Sequence, residues 1–226
     1  WSAAPLFDAS RHHHVIQVHR DHIQAGASFI TANTYACTSS ILEPAGYPTH
    51  QQQHDVIQTA VKLAHLARAQ EDPHNHSVRI IGSLPPLYTS YVSSCVPQDT
   101  RKMVLEYKNM VRAMVENTEN NDNKEWYGVD ILLCETMSCV REAIAAVQAA
   151  VHVAPSLPIW VAFTVNESGD LRSGETLENA QLALHPYHQV TTLCINCSTP
   201  EECTIALQKR GDPLTHHPVL CTTRWK

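Results

Sequence analysis

The chain has 226 residues, 43% apolar and 17% charged, with a formal net charge of −6 and a pI near 6.2. That is ordinary globular composition, with enough apolar surface for a sizeable core. It carries no basic block or stripe, so nucleic acid is not an expected partner. No uninterrupted apolar run reaches the ~18 residues of a membrane span, so no membrane is expected either.

The opening W-S-A-A-P-L-F-D-A-S has neither a basic n-region nor an apolar h-region. A cytoplasmic location is the expectation, and with it eight cysteines kept as thiols. The chain begins at Trp1 rather than Met, so a preceding segment is expected to be missing.

In chain order, His12, His13 and His14 form a run. Three adjacent His on a helix point three ways and do not share one ion well. The run reads as a solvated face near a helix start. Residues 27–30, continued by Thr31-Ala32-Asn33, are the first strand run. Residues 51–70 follow, with Val56, Ala60, Leu63, Ala64 and Ala67 at helical spacing. The second strand run is 78–84, and a helix at 100–115 carries Met103, Leu105, Met110 and Val111. The third run is 129–134, followed by a helix at 138–151 with Ser138 as its N-cap and Glu142 early in it. The fourth run, 159–165, precedes a helix at 175–184. The fifth, 190–197, precedes a helix at 200–209 capped by Ser198 or Thr199, with Pro200 at its first position. After a His216-His217 pair comes the sixth and weakest run, 218–222.

The strand runs are near-continuously apolar rather than alternating, the pattern of strands buried on both faces of a parallel sheet. Strand and helix alternate, so the fold class is α/β over one domain, 1–226. An open doubly wound sheet and a barrel both fit. Seven Gly in the whole chain, and no glycine-rich loop after any strand, argue against a nucleotide-binding sheet. A complete eightfold barrel typically takes ~250 residues. About six strands are readable here, so a barrel would be incomplete.

Sites on such folds sit at strand ends. The residues there are Asn33-Thr34-Tyr35, Ser83-Leu84-Pro85-Pro86, Glu135-Thr136, Thr164-Val165-Asn166 and Asn196-Cys197. Singly, a Thr or Asn after a strand is a cap or turn former; five matching positions make a converging polar set. A carboxylate such as Glu135 is costly to bury unless paired. Its partner is the ammonium of an amino-acid substrate, or else it caps the next helix or pairs with Arg141. Cys194 and Cys197 spell C-x-x-C, but alternation along a strand sends them to opposite faces. That disfavours a redox pair and leaves Cys197 either buried or a single metal ligand. Cys134, Cys139, Cys203 and Cys221 read as core or surface thiols.

The ordered motifs resemble the homocysteine S-methyltransferase family. They are W-S-A at 1–3, V-H-R-D-H-I-Q-A-G-A at 18–27, T-A-N-T-Y at 31–35, G-S-L-P-P-L at 82–87, D-I-L-L-C-E-T at 130–136, W-V-A-F-T-V from Trp160, L-R-S-G at 171–174 and I-N-C-S at 195–198. Pro85 stands where the family usually has Gly. The resemblance implies a (β/α)8 TIM-barrel type fold, incomplete here. It also implies methyl transfer from a sulfonium-type donor, S-methylmethionine or S-adenosylmethionine, to homocysteine, giving methionine. By the same resemblance Glu135, Thr136, Asn33, Ser83 and Asn196 bind substrate, and Cys197 is the first of three cysteine ligands to zinc. The family's other two zinc cysteines form an adjacent C-C pair, and this sequence has none; Cys221 is a poor substitute inside the last run. Zinc is therefore not expected to be retained by this chain. The alternative is a truncated, non-catalytic barrel remnant, acting at most as a binding or interaction protein.

Overall fold

The computed structural model describes residues 2–74, 77–116 and 128–209, and the backbone of 219–223. Trp1, the His216-His217 pair and Pro218 lie outside the described residues, as does the side chain of Cys221. The chain divides into two compact units, Trp1–Leu84 with Asn109–Leu132, and Pro85–Lys108 with Leu133–Lys226.

The first unit holds α1 (His12–Gln24), β1 (Phe29–Thr31), α2 (Ser39–Leu42), α3 (His50–Glu71) and β2 (Arg79–Leu84). It also takes the last turns of α4 (Arg101–Val115) and the first two residues of β3 (Ile131–Met137). β1 and β2 pair in parallel, Ile30 opposite Ile80. α3 begins at a capping box: the Thr49 hydroxyl accepts the Gln52 N–H at 3.3 Å, and Gln52 Oε1 accepts the Thr49 N–H at 3.1 Å. Its buried stripe is Val56, Ile57, Ala60, Val61, Leu63, Ala64 and Ala67. The histidine run does open a helix, α1, with His13 and His14 exposed. That helix escapes a periodicity reading because it buries only Val15 and His19.

One carboxylate ties this unit together. Asp130, entering β3, accepts the Ile80 N–H at 2.7 Å and Arg68 Nη1 of α3 at 3.0 Å. Arg68 is 8% exposed and also donates to Val78 O and His65 Nδ1. Strand, helix and the next strand's entry are thus fixed by one ion pair between a buried guanidinium and a half-buried carboxylate.

The second unit holds the first turns of α4 and most of β3, then α5 (Val140–Val153), β4 (Ile159–Phe163) and α6 (Leu177–Leu184). β5 (Val190–Ser198), α7 (Pro200–Lys209) and β6 (Val219–Thr223) complete it. β5 pairs in parallel with β4, Leu193 opposite Val161, and with β6, Cys194 opposite Leu220. Parallel strands linked by helices are the expected α/β arrangement. β2 and β5 are buried along most of their length, as their apolar runs require. α5 turns Ala143, Ala145, Ala146, Val147, Ala149 and Ala150 inward, small side chains that let a helix lie close. No described helix is long and apolar enough to cross a membrane.

Two caps separate what is local from what is not. Thr199 does cap α7: its hydroxyl accepts the Glu202 N–H at 3.2 Å, and Glu202 Oε2 accepts the Thr199 N–H at 2.8 Å. Ser138 does not cap α5. The N-cap is Cys139, without a side-chain bond, and the Val140 N–H is taken by Glu175 Oε2 at 3.0 Å, 35 residues away in sequence.

Replacing Asp130 by Ala leaves the Arg68 guanidinium buried without its carboxylate. The expected cost is about 3–5 kcal/mol, the price of a broken buried pair, read as a fall in the urea unfolding midpoint. A loss under about 1 kcal/mol, the scale of an exposed pair, would contradict this account of the unit.

Candidate active site

β3 ends in Glu135-Thr136-Met137 and β5 in Asn196-Cys197-Ser198. Neither end is regular strand. Thr136 has φ 60° and Cys197 φ 52°, both left-handed. For a β-branched residue that conformation is a genuine outlier. It persists only where the surroundings over-determine it, and such residues cluster at functional sites.

The side-chain amide of Asn196 supplies much of that determination. Its Oδ1 accepts the Thr136 N–H at 3.1 Å. Its Nδ2 donates to Thr136 Oγ1 at 3.1 Å and to Glu135 Oε2 at 3.2 Å. Thr136 Oγ1, having accepted from the amide, directs its own proton to Cys197 Sγ at 3.5 Å. In a regular strand Glu135 and Thr136 would face opposite sides; the left-handed turn lets both reach one amide. It also corrects the alternation argument about the cysteines, which assumes regular strand as far as Cys197. Pairing of β5 with β6 shifts register between Ile195 and Ser198. Cys194 is buried and Cys197 half-buried.

A second layer backs the first. Thr164 Oγ1, beyond β4, donates to Cys197 O at 3.3 Å, and Ser198 Oγ accepts the Val165 N–H at 2.9 Å. Arg172 Nε donates to Thr164 Oγ1 at 3.4 Å. The Arg172 guanidinium also lies 3.6 Å from Glu202 Oε2 and 5.7 Å from the centre of the Tyr91 ring. Arg172 and Ser198 are functional candidates that reading strand ends does not select. Arg172 sits in the L-R-S-G loop, a motif with no side-chain role apparent from sequence.

Four expected site residues therefore meet: Glu135, Thr136, Asn196 and Cys197. Asn33 and Ser83 belong to the other unit. Asn33 Nδ2 donates to Ser2 O at 2.7 Å. The Thr34 hydroxyl donates to Ser83 O and accepts the Ser83 N–H, both at 3.0 Å. Asn33 also lines a mostly apolar cavity of about 590 Å³ together with His14, His19 and His22. Burial lowers the His19 pKa to about 4, so that imidazole is neutral at ordinary pH. The alternative partners proposed for Glu135 are otherwise engaged: Arg141 donates to Val96 O and Gln98, and Glu175 caps α5.

Among the described residues, no group of three or more His, Cys, Asp or Glu is placed to hold a metal ion. A catalytic zinc normally takes three protein ligands. Cys197 is a single thiol, so the described residues do not make a zinc site. A hydroxyl donating to sulfur is nonetheless the kind of outer contact that orients a thiolate ligand.

Asn196→Ala strips the buried Thr136 N–H of its acceptor and frees Glu135 and Thr136 together. A loss of about 1–3 kcal/mol is expected in urea unfolding, the cost of one buried unsatisfied group. An unchanged midpoint would mean that the amide does not hold these strand ends.

The chain matches the family model for homocysteine S-methyltransferase over residues 1–223. It is 30% identical over 217 residues to the homocysteine S-methyltransferase of Escherichia coli (strain K12), covering 92% of this chain and 65% of that protein. It is 26% identical over 195 residues to the betaine-homocysteine S-methyltransferase of Drosophila melanogaster, covering 79% of this chain and 55% of that protein. The chain thus spans less than two thirds of the length of these relatives. The crystal structure of the homocysteine methyltransferase MmuM from Escherichia coli, in its metallated form, superposes with a TM-score of 0.83 at 26% identity, covering 99% of this chain and 75% of that one. That match identifies the fold as an incomplete (β/α)8 TIM-barrel type rather than an open sheet. The chain belongs to the homocysteine S-methyltransferase family.

Proposed function

We propose that this chain carries the amino-acid-holding part of a homocysteine S-methyltransferase site, which moves a methyl group from a sulfonium-type donor, S-methylmethionine or S-adenosylmethionine, to homocysteine. The observation that carries the reading is the Asn196 amide joining Glu135 and Thr136 at the end of β3 to Cys197 at the end of β5. Homocysteine presents an ammonium, a carboxylate and a thiol. Glu135 is half-buried, with one oxygen oriented by the amide, a setting that suits a charge-assisted bond to an ammonium. Asn33 and Ser83, at the ends of β1 and β2, are proposed as further substrate contacts.

The reaction forms a bond from the homocysteine sulfur to the methyl carbon as the donor's sulfur–methyl bond breaks. The products are methionine and the demethylated donor. The attacking species is the thiolate, and a free thiol has a pKa near ~8.5. In a complete site, zinc held by several thiolates would supply that deprotonation. Cys197 would be one such ligand, and the described residues offer no second or third. Positioning the thiol against the methyl group is the contribution left to the chain's own side chains.

Glu135→Gln is expected to weaken homocysteine binding at least ~10-fold by calorimetry, or ~1.4 kcal/mol. Binding of 4-mercaptobutyrate, which lacks the amino group, should be unaffected. Equal losses for both compounds would remove Glu135 from ammonium recognition. Residues 1–226 alone are expected to hold well under one zinc per chain, and to form no methionine from homocysteine and S-methylmethionine. One tightly held zinc per chain by metal analysis would overturn that expectation and return catalysis to this chain.

A further inference from the structure

β5 ends through Cys197-Ser198, and Thr199 leads into α7. Two backbone groups of this turn are held by side chains. The Cys197 carbonyl accepts the Thr164 hydroxyl at 3.3 Å, and the Thr199 N–H donates to Glu202 Oε2 at 2.8 Å. Arg172 meets both of those side chains. Its Nε donates to Thr164 Oγ1 at 3.4 Å, and its Nη2 lies 3.6 Å from Glu202 Oε2. One guanidinium therefore straddles the turn that carries the Cys197 sulfur.

The hydroxyl protons can be assigned one by one. Ser198 Oγ accepts the Val165 N–H at 2.9 Å and donates to Asn196 O at 3.1 Å. Thr164 Oγ1 accepts from Arg172 Nε, so its single proton is left for the Cys197 carbonyl. Without the Nε donor that hydroxyl could turn towards Ser198 Oγ, 3.4 Å away, and leave the carbonyl. Cys197 has φ 52°. A left-handed residue keeps that conformation only where its surroundings over-determine it.

Arg172 is itself held in place. Leu171 before it bridges to Val165, and the Ser173 N–H after it donates to Ser138 O at 3.1 Å. Its guanidinium lies 5.7 Å from the centre of the Tyr91 ring, within cation–π range. A planar fork serves two acceptors in fixed directions, which the point charge of an ammonium does not.

We propose that Arg172 is a positioning residue for the Cys197 sulfur: its Nε sets the Thr164 hydroxyl on the Cys197 carbonyl, and its Nη2 steadies Glu202 at the start of α7. The sulfur so placed is the one that accepts the Thr136 hydroxyl at 3.5 Å. This role for Arg172 rests on the homocysteine reading only for the use made of the sulfur.

Alkylation of the whole chain by iodoacetamide at one pH, each cysteine followed by mass spectrometry, reads the sulfur without any ligand. Arg172→Lys keeps a cation for Glu202 and Tyr91 but has no donor at the Nε position. It should speed alkylation of Cys197 roughly 2- to 10-fold, the weight of one net hydrogen bond. Cys194 and Cys203, buried in the same unit, should keep their wild-type rates. Thr164→Val should act likewise, and adding Arg172→Lys to it should change nothing further. A wild-type or slower Cys197 rate in Arg172→Lys overturns the proposal, and so does an additive double variant. A rise shared by Cys194, Cys197 and Cys203 also overturns it, being the mark of general loosening. Homocysteine calorimetry on the wild-type chain is scored apart: no binding there fails the proposed function, while the alkylation rates alone decide the role of Arg172.

Discussion

The side-chain amide of Asn196 is the contact on which the candidate site depends. Its three hydrogen bonds reach the backbone and hydroxyl of Thr136 and the carboxylate of Glu135. They are possible only because Thr136 departs from strand geometry. A left-handed non-glycine residue costs about 1–3 kcal/mol, and there are two, Thr136 and Cys197. Each hydrogen bond returns about 0.5–1.5 kcal/mol net. The two sums are of similar size, so the arrangement is not one that stability alone selects. It is sustained by the buried strands on either side, and its product is a fixed relation between a carboxylate, a hydroxyl and a thiol.

The same principle separates what was legible in the sequence from what was not. The five longer strand runs and five of the helices follow from apolar patterning, because burial in a parallel sheet is what that pattern records. Thr199 was legible as a cap because its partner Glu202 lies three residues on. Ser138 has the same residue type in the same kind of position, yet α5 is capped by Glu175 from beyond β4. No local signal announces a cap that arrives through tertiary structure. α1 was legible only as a helix start, since its polar sequence has little stripe to read. For the site, position at a strand end was enough to select Glu135, Thr136, Asn196 and Cys197. The left-handed turns that join them, and the place of Arg172 behind Thr164, depend on neighbours that sequence spacing does not reveal.

Three carboxylates lie on or beside β3 within thirteen residues, and each is stabilised differently. Asp130 is matched by the Arg68 guanidinium and a backbone N–H. Glu142 is fully buried, accepts the Leu87 N–H on Oε1 and has no partner on Oε2 among the described residues, and burial pushes its carboxyl up to about 7. Glu135 lies between them in sequence, half-buried, with a neutral amide on one oxygen.

That difference bears on which carboxylate suits an amino-acid ligand. An ion pair already neutralises Asp130, so a second cation there would compete with Arg68 in a buried setting, where exchanging charged partners is costly. Glu142 is fully buried, and burial disfavours its charged form. An amide donor acts otherwise: it fixes the direction of a carboxylate without cancelling its charge. Glu135 has one oxygen oriented by the Asn196 amide, and the same amide holds Thr136, whose hydroxyl donates to Cys197 Sγ. On the proposed function, that hydrogen-bonded chain is what would relate the site for the ammonium of homocysteine to the site for its thiol.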